Sequence, residues 1–152
     1  MAKNKPVIHK ETISKWQDIV DLTARIVEVP ASLVMKTDAP DHAVLISSKG
    51  DDNPYFVGQS FELSPKLYCH AVLEDCDELV VCDAHSDPDW NDNEDLKHGM
   101  SFYIGYPLQW PDGSLFGTIC VLDRCENKKA QLYKDLLKEF RGLIERDLAL
   151  LI

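Results

Sequence analysis

Between residues 11 and 29 apolar positions recur near a 3.6-residue period, at Ile13, Trp16, Ile19, Val20, Ala24 and Val27. This predicts an amphipathic helix that Pro30 stops. The pattern then shortens. β-rich runs at Leu33–Lys36 and Val44–Ser47 flank the turn composition Asp38-Ala-Pro-Asp, and Ser48-Lys-Gly-Asp-Asp-Asn-Pro makes a second turn leading into Tyr55-Phe56-Val57. Ser64-Pro65 fits a helix cap followed by a helix-starting proline, which predicts a helix from Lys66 to about Glu74. Leu79–Cys82 reads as a short buried strand, and a helical turn near Glu94–Lys97 ends at Gly99, a left-handed stop. The clearest pattern is a hairpin: Ser101–Gln109 and Leu115–Asp123 around Trp110-Pro-Asp-Gly-Ser.

Residues 128–151 predict one long last helix, with Leu132, Leu136, Leu137, Phe140, Leu143, Ile144, Leu148 and Leu151 on more than one face. A helix this apolar needs cover from its own sheet and from a second surface. The chain ends on Leu150-Leu151-Ile152 without a polar finish, which predicts a piece of a longer protein. The order of elements is that of an α+β fold, a mainly antiparallel sheet with helices gathered on one face and at the ends.

At 152 residues the chain fits one domain, since domains run to about 100–200 residues. Its parts are an N-terminal helix (11–29), a sheet and pocket core (30–124) and a C-terminal helix (128–152). The net charge of −10 argues against unaided binding to nucleic acid or an anionic membrane. All of that charge comes from residues 74–95, which hold ten acids and no Lys or Arg and read as a solvated acidic loop. No apolar run nears the roughly 20 residues of a bilayer span, and no signal peptide is evident. Five cysteines, an odd number in a chain with its own core, favour reduced thiols and a cytoplasmic location.

Candidate chemistry changes this picture little. Cys82-x-x-His85 and Cys69-His70 are incomplete as zinc sites. Asp87-x-Asp89-x-Asn91-x-Asn93-x-Asp95 starts like a calcium loop, but Asp92 replaces the glycine and His98 the bidentate glutamate. No serine sits in a nucleophile elbow, and no Gly-rich phosphate loop is present. For Cys69 and Cys82 the neighbouring acids oppose a lowered thiol pKa, so a cysteine-based redox role is the weaker alternative. Tyr68, Trp90, Phe102, Tyr103 and Tyr106 gather aromatic residues mid-chain, fit either for packing or for orienting a ligand. Alternation divides Ser101, Tyr103 and Gly105 from Phe102, Ile104 and Tyr106.

Tyr68-Cys-His-Ala-Val72, Leu79–Val81 with Cys82-Asp-Ala84, and Asp87-Pro-Asp-Trp90 resemble the middle of a GAF domain. So do Met100-Ser-Phe-Tyr-Ile-Gly-Tyr-Pro-Leu108, Trp110-Pro-Asp-Gly-Ser-Leu-Phe-Gly-Thr-Ile-Cys-Val-Leu-Asp123 and, upstream, Asp52-Asn-Pro-Tyr-Phe-Val-Gly58. The chain is most similar to the small-molecule-sensing GAF domains that precede sensor kinase or GGDEF cyclase output domains. The resemblance implies a six-stranded antiparallel sheet, terminal helices on one face and a ligand pocket on the other. It further implies a non-catalytic sensory module, a homodimer through the terminal helices, and a last helix that relays ligand occupancy. The implied ligand-binding residues are Tyr68, Cys69, Val72, His85, Trp90, Ser101, Tyr103 and Thr118, without a catalytic residue or a metal ligand. Nothing in the residues selects a cofactor. The alternative is a dimerisation scaffold whose pocket is collapsed and empty.

Overall fold

The computed structural model describes residues 5–152. Helix α1 (Lys10–Val27) leads into strands β1 (Ala31–Asp38), β2 (Asp41–Ser47) and β3 (Ser60–Glu62), then helix α2 (Tyr68–Asp75) and strand β4 (Leu79–Val81). Single-turn 3-10 helices at Ala84–Ser86 and Glu94–His98 precede β5 (Phe102–Gln109) and β6 (Leu115–Asp123), and helices α3 (Lys128–Leu132) and α4 (Lys134–Leu150) close the chain. The six strands form one antiparallel sheet in the order β3-β2-β1-β6-β5-β4.

Strand alternation gives the sheet two apolar faces. Val34, Phe102, Ile104, Tyr106, Ile119 and Val121 meet Trp16, Ile19 and Val20 of α1 and Leu137, Ile144 and Leu148 of α4. Leu33, Met35, Tyr103, Cys120 and Leu122 point the other way, under Tyr68, Cys69 and Val72 of α2. Ile46 leaves the expected alternation. Met35 pairs with Val44 but Val34 pairs with Ile46, so Leu45 is an extra residue. This bulge sends Leu45 and Ile46 to the helix side while Val44 stays on the other.

On the helix side, Asp147 of α4 is buried and accepts hydrogen bonds from Trp16 Nε1 (2.9 Å) and Lys15 Nζ (2.8 Å), both on α1. The bonds fix the register of the two terminal helices and satisfy a carboxylate that is costly to bury alone. At the start of α4, Lys134 Nζ lies 2.6 Å from Glu78, whose carboxylate also accepts from Tyr106 Oη at 3.3 Å. Further along, Glu145 accepts from the Gln109 backbone N–H at 2.8 Å.

Several predicted boundaries differ. Helix α1 stops before Pro30, because a proline disfavours helical backbone at Val29, and Glu28 turns left-handed (φ 56°) with its N–H on the Ala24 carbonyl. The third strand is Ser60–Glu62, a run the sequence pattern did not single out. Helix α2 starts at Tyr68, because Ser64-Pro65 makes a separate turn closed by Leu67 N–H on the Ser64 carbonyl, leaving Leu67 extended. The long last helix is two. Asn127 caps α3 through Ala130 N–H, and the chain then bends at Tyr133, where Glu78 and Tyr106 anchor Lys134. On α4 only one stripe is covered; Leu143 and Leu150 are exposed, as is Leu132 of α3. Gly99 does take the left-handed stop, with φ 77°.

Candidate functional site

A cavity of about 20 Å³ lies on the sheet face opposite α1 and α4. Leu33, Met35, Cys120 and Leu122 form its floor, with Tyr103; Leu67 and Cys69 form its roof, and His42, Tyr55, Phe61 and Asp95 close it. That volume holds about one or two water-sized molecules, since one water needs roughly 10–15 Å³.

Local sequence explains how each polar group arrives. Asn53 donates to Ser47 Oγ (2.7 Å) and to the Ser48 carbonyl (2.8 Å) and accepts from Tyr55 N–H (2.9 Å). The loop after β2 is thereby folded back, and Tyr55 points inward. Its hydroxyl donates to Asp95 Oδ1 at 2.7 Å. Asp95 sits in the 3-10 turn that Asn93 caps by accepting from Asp95 N–H (2.7 Å), and Glu94 N–H ties this turn to the Lys66 carbonyl before α2. The acidic run is therefore a solvated surface except at Asp95, which is 8 % exposed. Burial pushes its carboxyl up to about 7, although the Tyr55 hydrogen bond and nearby His42 favour the charged form.

His42 is 1 % exposed, and neither imidazole nitrogen has a hydrogen-bond partner. An unpaired buried polar group costs about 1–3 kcal/mol, so this ring is an expense unless something enters the cavity to meet it. Tyr103 lies over Gly105: a Cβ there would stand 2.1 Å from the Tyr103 hydroxyl, so only glycine leaves the ring its position. The ring stacks on Tyr68 at 4.7 Å, and Tyr68 donates to the Met100 carbonyl at 2.8 Å.

Cys69 Sγ is 3.4 Å from both Tyr103 Oη and Thr118 Oγ1. Hydrogen bonding from Cys120 holds the Cys69 thiol well below its ordinary value against the opposing effect of burial, and the electrostatic pull of His42 and the Thr118 hydroxyl add to it. Cys120 moves the other way, raised by that bond to Cys69 and by burial. The expectation that the acids would govern the thiols fails at Cys69, because the groups in contact with it outweigh more distant charge.

Of the residues expected to bind ligand, Cys69 and Tyr103 line the cavity, Thr118 touches Cys69, and Tyr68 backs Tyr103. Trp90 packs on Tyr68 at 5.3 Å, a layer further out, and Val72 belongs to the apolar packing under α2. His85 and Ser101 are elsewhere: His85 is exposed in the 3-10 turn after β4, and Ser101 Oγ donates to the Arg124 carbonyl. His42, Tyr55 and Asp95 were missed. For His42 the available signal was its place between Asp41 and Ala43 in a run that alternates with Val44. Among the described residues no cluster of three or more His, Cys, Asp or Glu side chains is arranged to hold a metal ion, and no helix is long and apolar enough to cross a membrane.

The sequence profile of GAF domains matches residues 12–145. Curated protein sequences give no match. Among solved structures, the GAF domain of an Acinetobacter phosphoenolpyruvate-protein phosphotransferase is similar at 13% identity and a TM-score of 0.71, over 91% of this chain and 82% of that one. The type II free methionine-R-sulfoxide reductase of Thermoplasma acidophilum is similar at 10% identity and a TM-score of 0.71, over 94% and 96%. The blue-light absorbing form of the Thermosynechococcus elongatus PixJ GAF-domain is similar at 15% identity and a TM-score of 0.67, over 90% and 86%. At such identities the likeness is one of fold. Together with the profile match, it makes the chain a member of the GAF domain family, built as an α+β fold on a six-stranded antiparallel sheet.

Proposed function

We propose that the chain is a non-catalytic sensory module of the cytoplasm that binds a small molecule beside Tyr103 and relays its presence through α4 to an output domain of kinase or GGDEF type. The observation that carries this reading is the unpartnered His42 ring facing a cavity that also receives Asp95, Tyr103 and Cys69. Retaining an unpaired imidazole in a protein interior is a cost that a ligand offsets. Binding acts on the relay only by favouring one of two packings of the sheet and its helices.

The terminal helices supply the dimer surface in this reading. Leu22 of α1 and Leu143 and Leu150 of α4 are exposed, and Leu132 of α3 extends the apolar surface. Burying such side chains against a second copy contributes up to about 1.5–3 kcal/mol for Leu132 and Leu150, and less for Leu22 and Leu143, which are already more than half buried.

Native and denaturing mass spectra of freshly purified protein test the proposal together. A dimer carrying a removable small mass is the expected result. A monomer that retains the small mass overturns the dimer and leaves the sensor. A dimer with no bound mass, which also takes up no metabolite on titration, favours a second reading. The chain is then a dimerisation scaffold, and the small cavity volume is the observation in its favour.

A further inference from the structure

We propose that Cys69 and Cys120 are a reversible thiol pair that a hydroperoxide entering the cavity oxidises to a disulfide, with His42 as the proton carrier.

The first argument is size. A cavity of about 20 Å³ admits a molecule little larger than water without any rearrangement of its walls, and hydrogen peroxide is such a molecule. The second is arrangement. Both thiols line this cavity, Cys69 from α2 and Cys120 from the centre of β6, and Thr118, in contact with Cys69, is two residues from Cys120 on the same strand face. The third is the unpartnered, buried His42 ring, whose nitrogens are free to take and return a proton. The two sulfurs are also unequal. Cys69 is 9 % exposed and Cys120 1 %, and the neighbours of Cys69 favour its thiolate. Cys69 is the attacking thiol and Cys120 the resolving one.

The chemistry balances. Cys69 passes its proton to His42 and attacks one peroxide oxygen; the O–O bond breaks, and the departing hydroxide or alkoxide takes the proton back from His42. Cys69 is now a sulfenic acid. Cys120 attacks that sulfur, the S–O bond breaks, and the hydroxide leaves as water with the Cys120 proton. Two thiols have lost two electrons to the peroxide, which ends as water, or as an alcohol and water. A disulfide here ties α2 to the middle of the sheet, which makes the cavity's occupancy a redox signal. This inference rests on the sensory reading and adds a covalent input to it.

The test uses the full chain with Cys76→Ser, Cys82→Ser and Cys125→Ser, which leaves only the two cavity thiols. Titration with hydrogen peroxide, differential alkylation and peptide mapping should show one Cys69–Cys120 cross-link, a mass loss of two hydrogens and full return with a dithiol. The same mapping on the unaltered chain covers the case in which the triple variant does not fold. His42→Gln should slow cross-linking about a hundredfold or more, the lower range of what a positioned proton carrier contributes. Thiols that stay free in the folded protein overturn the proposal, as does oxidation of Cys69 to sulfinic acid with Cys120 unchanged. A bound metabolite that survives peroxide treatment, with both thiols free, overturns this inference alone and leaves the sensory reading standing.

Discussion

Two aspartates are buried in this domain, on opposite faces of one sheet, and they are treated differently. Asp147 meets an indole N–H and a lysine, both from α1, and is part of a closed joint between the terminal helices. Asp95 meets a tyrosine hydroxyl, and no lysine or arginine pairs with it among the described residues. Burial dominates at Asp95 and raises its carboxyl to about 7, while neither nitrogen of His42, which lines the same cavity, has a hydrogen-bond partner. The helix face closes its buried carboxylate with two donors. The cavity face pairs Asp95 only with a tyrosine and leaves both His42 nitrogens without a hydrogen bond.

The largest effect should come from opening the closed side. Trp16→Ala removes a fully buried ring and the Asp147 partner together, and should cost about 5 kcal/mol in chemical denaturation. A loss below about 2 kcal/mol would mean the joint is not the strong half of the comparison.

The next concerns pH. Asp95 has a folded value raised to about 7 from an unfolded value near 4, so its stabilising effect is complete below about pH 4 and fades as pH rises through 7. The native state binds the extra proton, and the loss amounts to about 4 kcal/mol across that window. Denaturation midpoints for the parent and Asp95→Asn should diverge over this range, with the variant the flatter of the two. Parallel curves would remove Asp95 from the account.

Smaller effects probe the fit of the cavity wall. Gly105→Ala places a methyl where the Tyr103 hydroxyl lies, so it should cost about 1–3 kcal/mol and change the near-ultraviolet signal of the tyrosines. His42→Leu should act in the opposite direction, adding about 1–2 kcal/mol by removing an unpaired buried ring. If His42→Leu destabilises, the ring is satisfied in solution and the contrast between the faces is weaker than drawn.

Much of the fold was legible because its physics is local. The period at Ile13–Val27, the alternation in β5 and β6 and the turn at Pro111–Gly113 each follow from a few consecutive residues. Cys69 and Tyr103 were singled out through the family resemblance, and one helix and one strand face bring both to the cavity. Asp95 was not. Among ten acids it differs only in that Asn93 caps its turn and Tyr55, forty residues earlier, reaches it. The Leu45 bulge was equally hidden, since alternation within β2 cannot report which residue its neighbour strand skips. The break at Tyr133 depends on Glu78 and Tyr106, both distant in sequence.

The contact between Lys134 and Glu78 has a consequence for how the last helix behaves in different media. Glu78 lies in the short link between α2 and β4, so this pair ties the start of α4 to the segment that follows the helix roofing the cavity. Both side chains are partly open to solvent, at 41% and 30% exposure, and their attraction fades as salt shortens the screening length from about 10 Å at 0.1 M to 3 Å at 1 M. The Asp147 joint further along α4 also has an exposed lysine, but its bond to the fully buried Trp16 indole is neutral on the donor side and feels this less. Ionic strength therefore acts as a tuning knob mainly on one end of α4: concentrated salt loosens its first turn from the link before β4 while its last turns stay seated on α1 through the Trp16 bond, a difference that amide hydrogen exchange along the helix would read residue by residue.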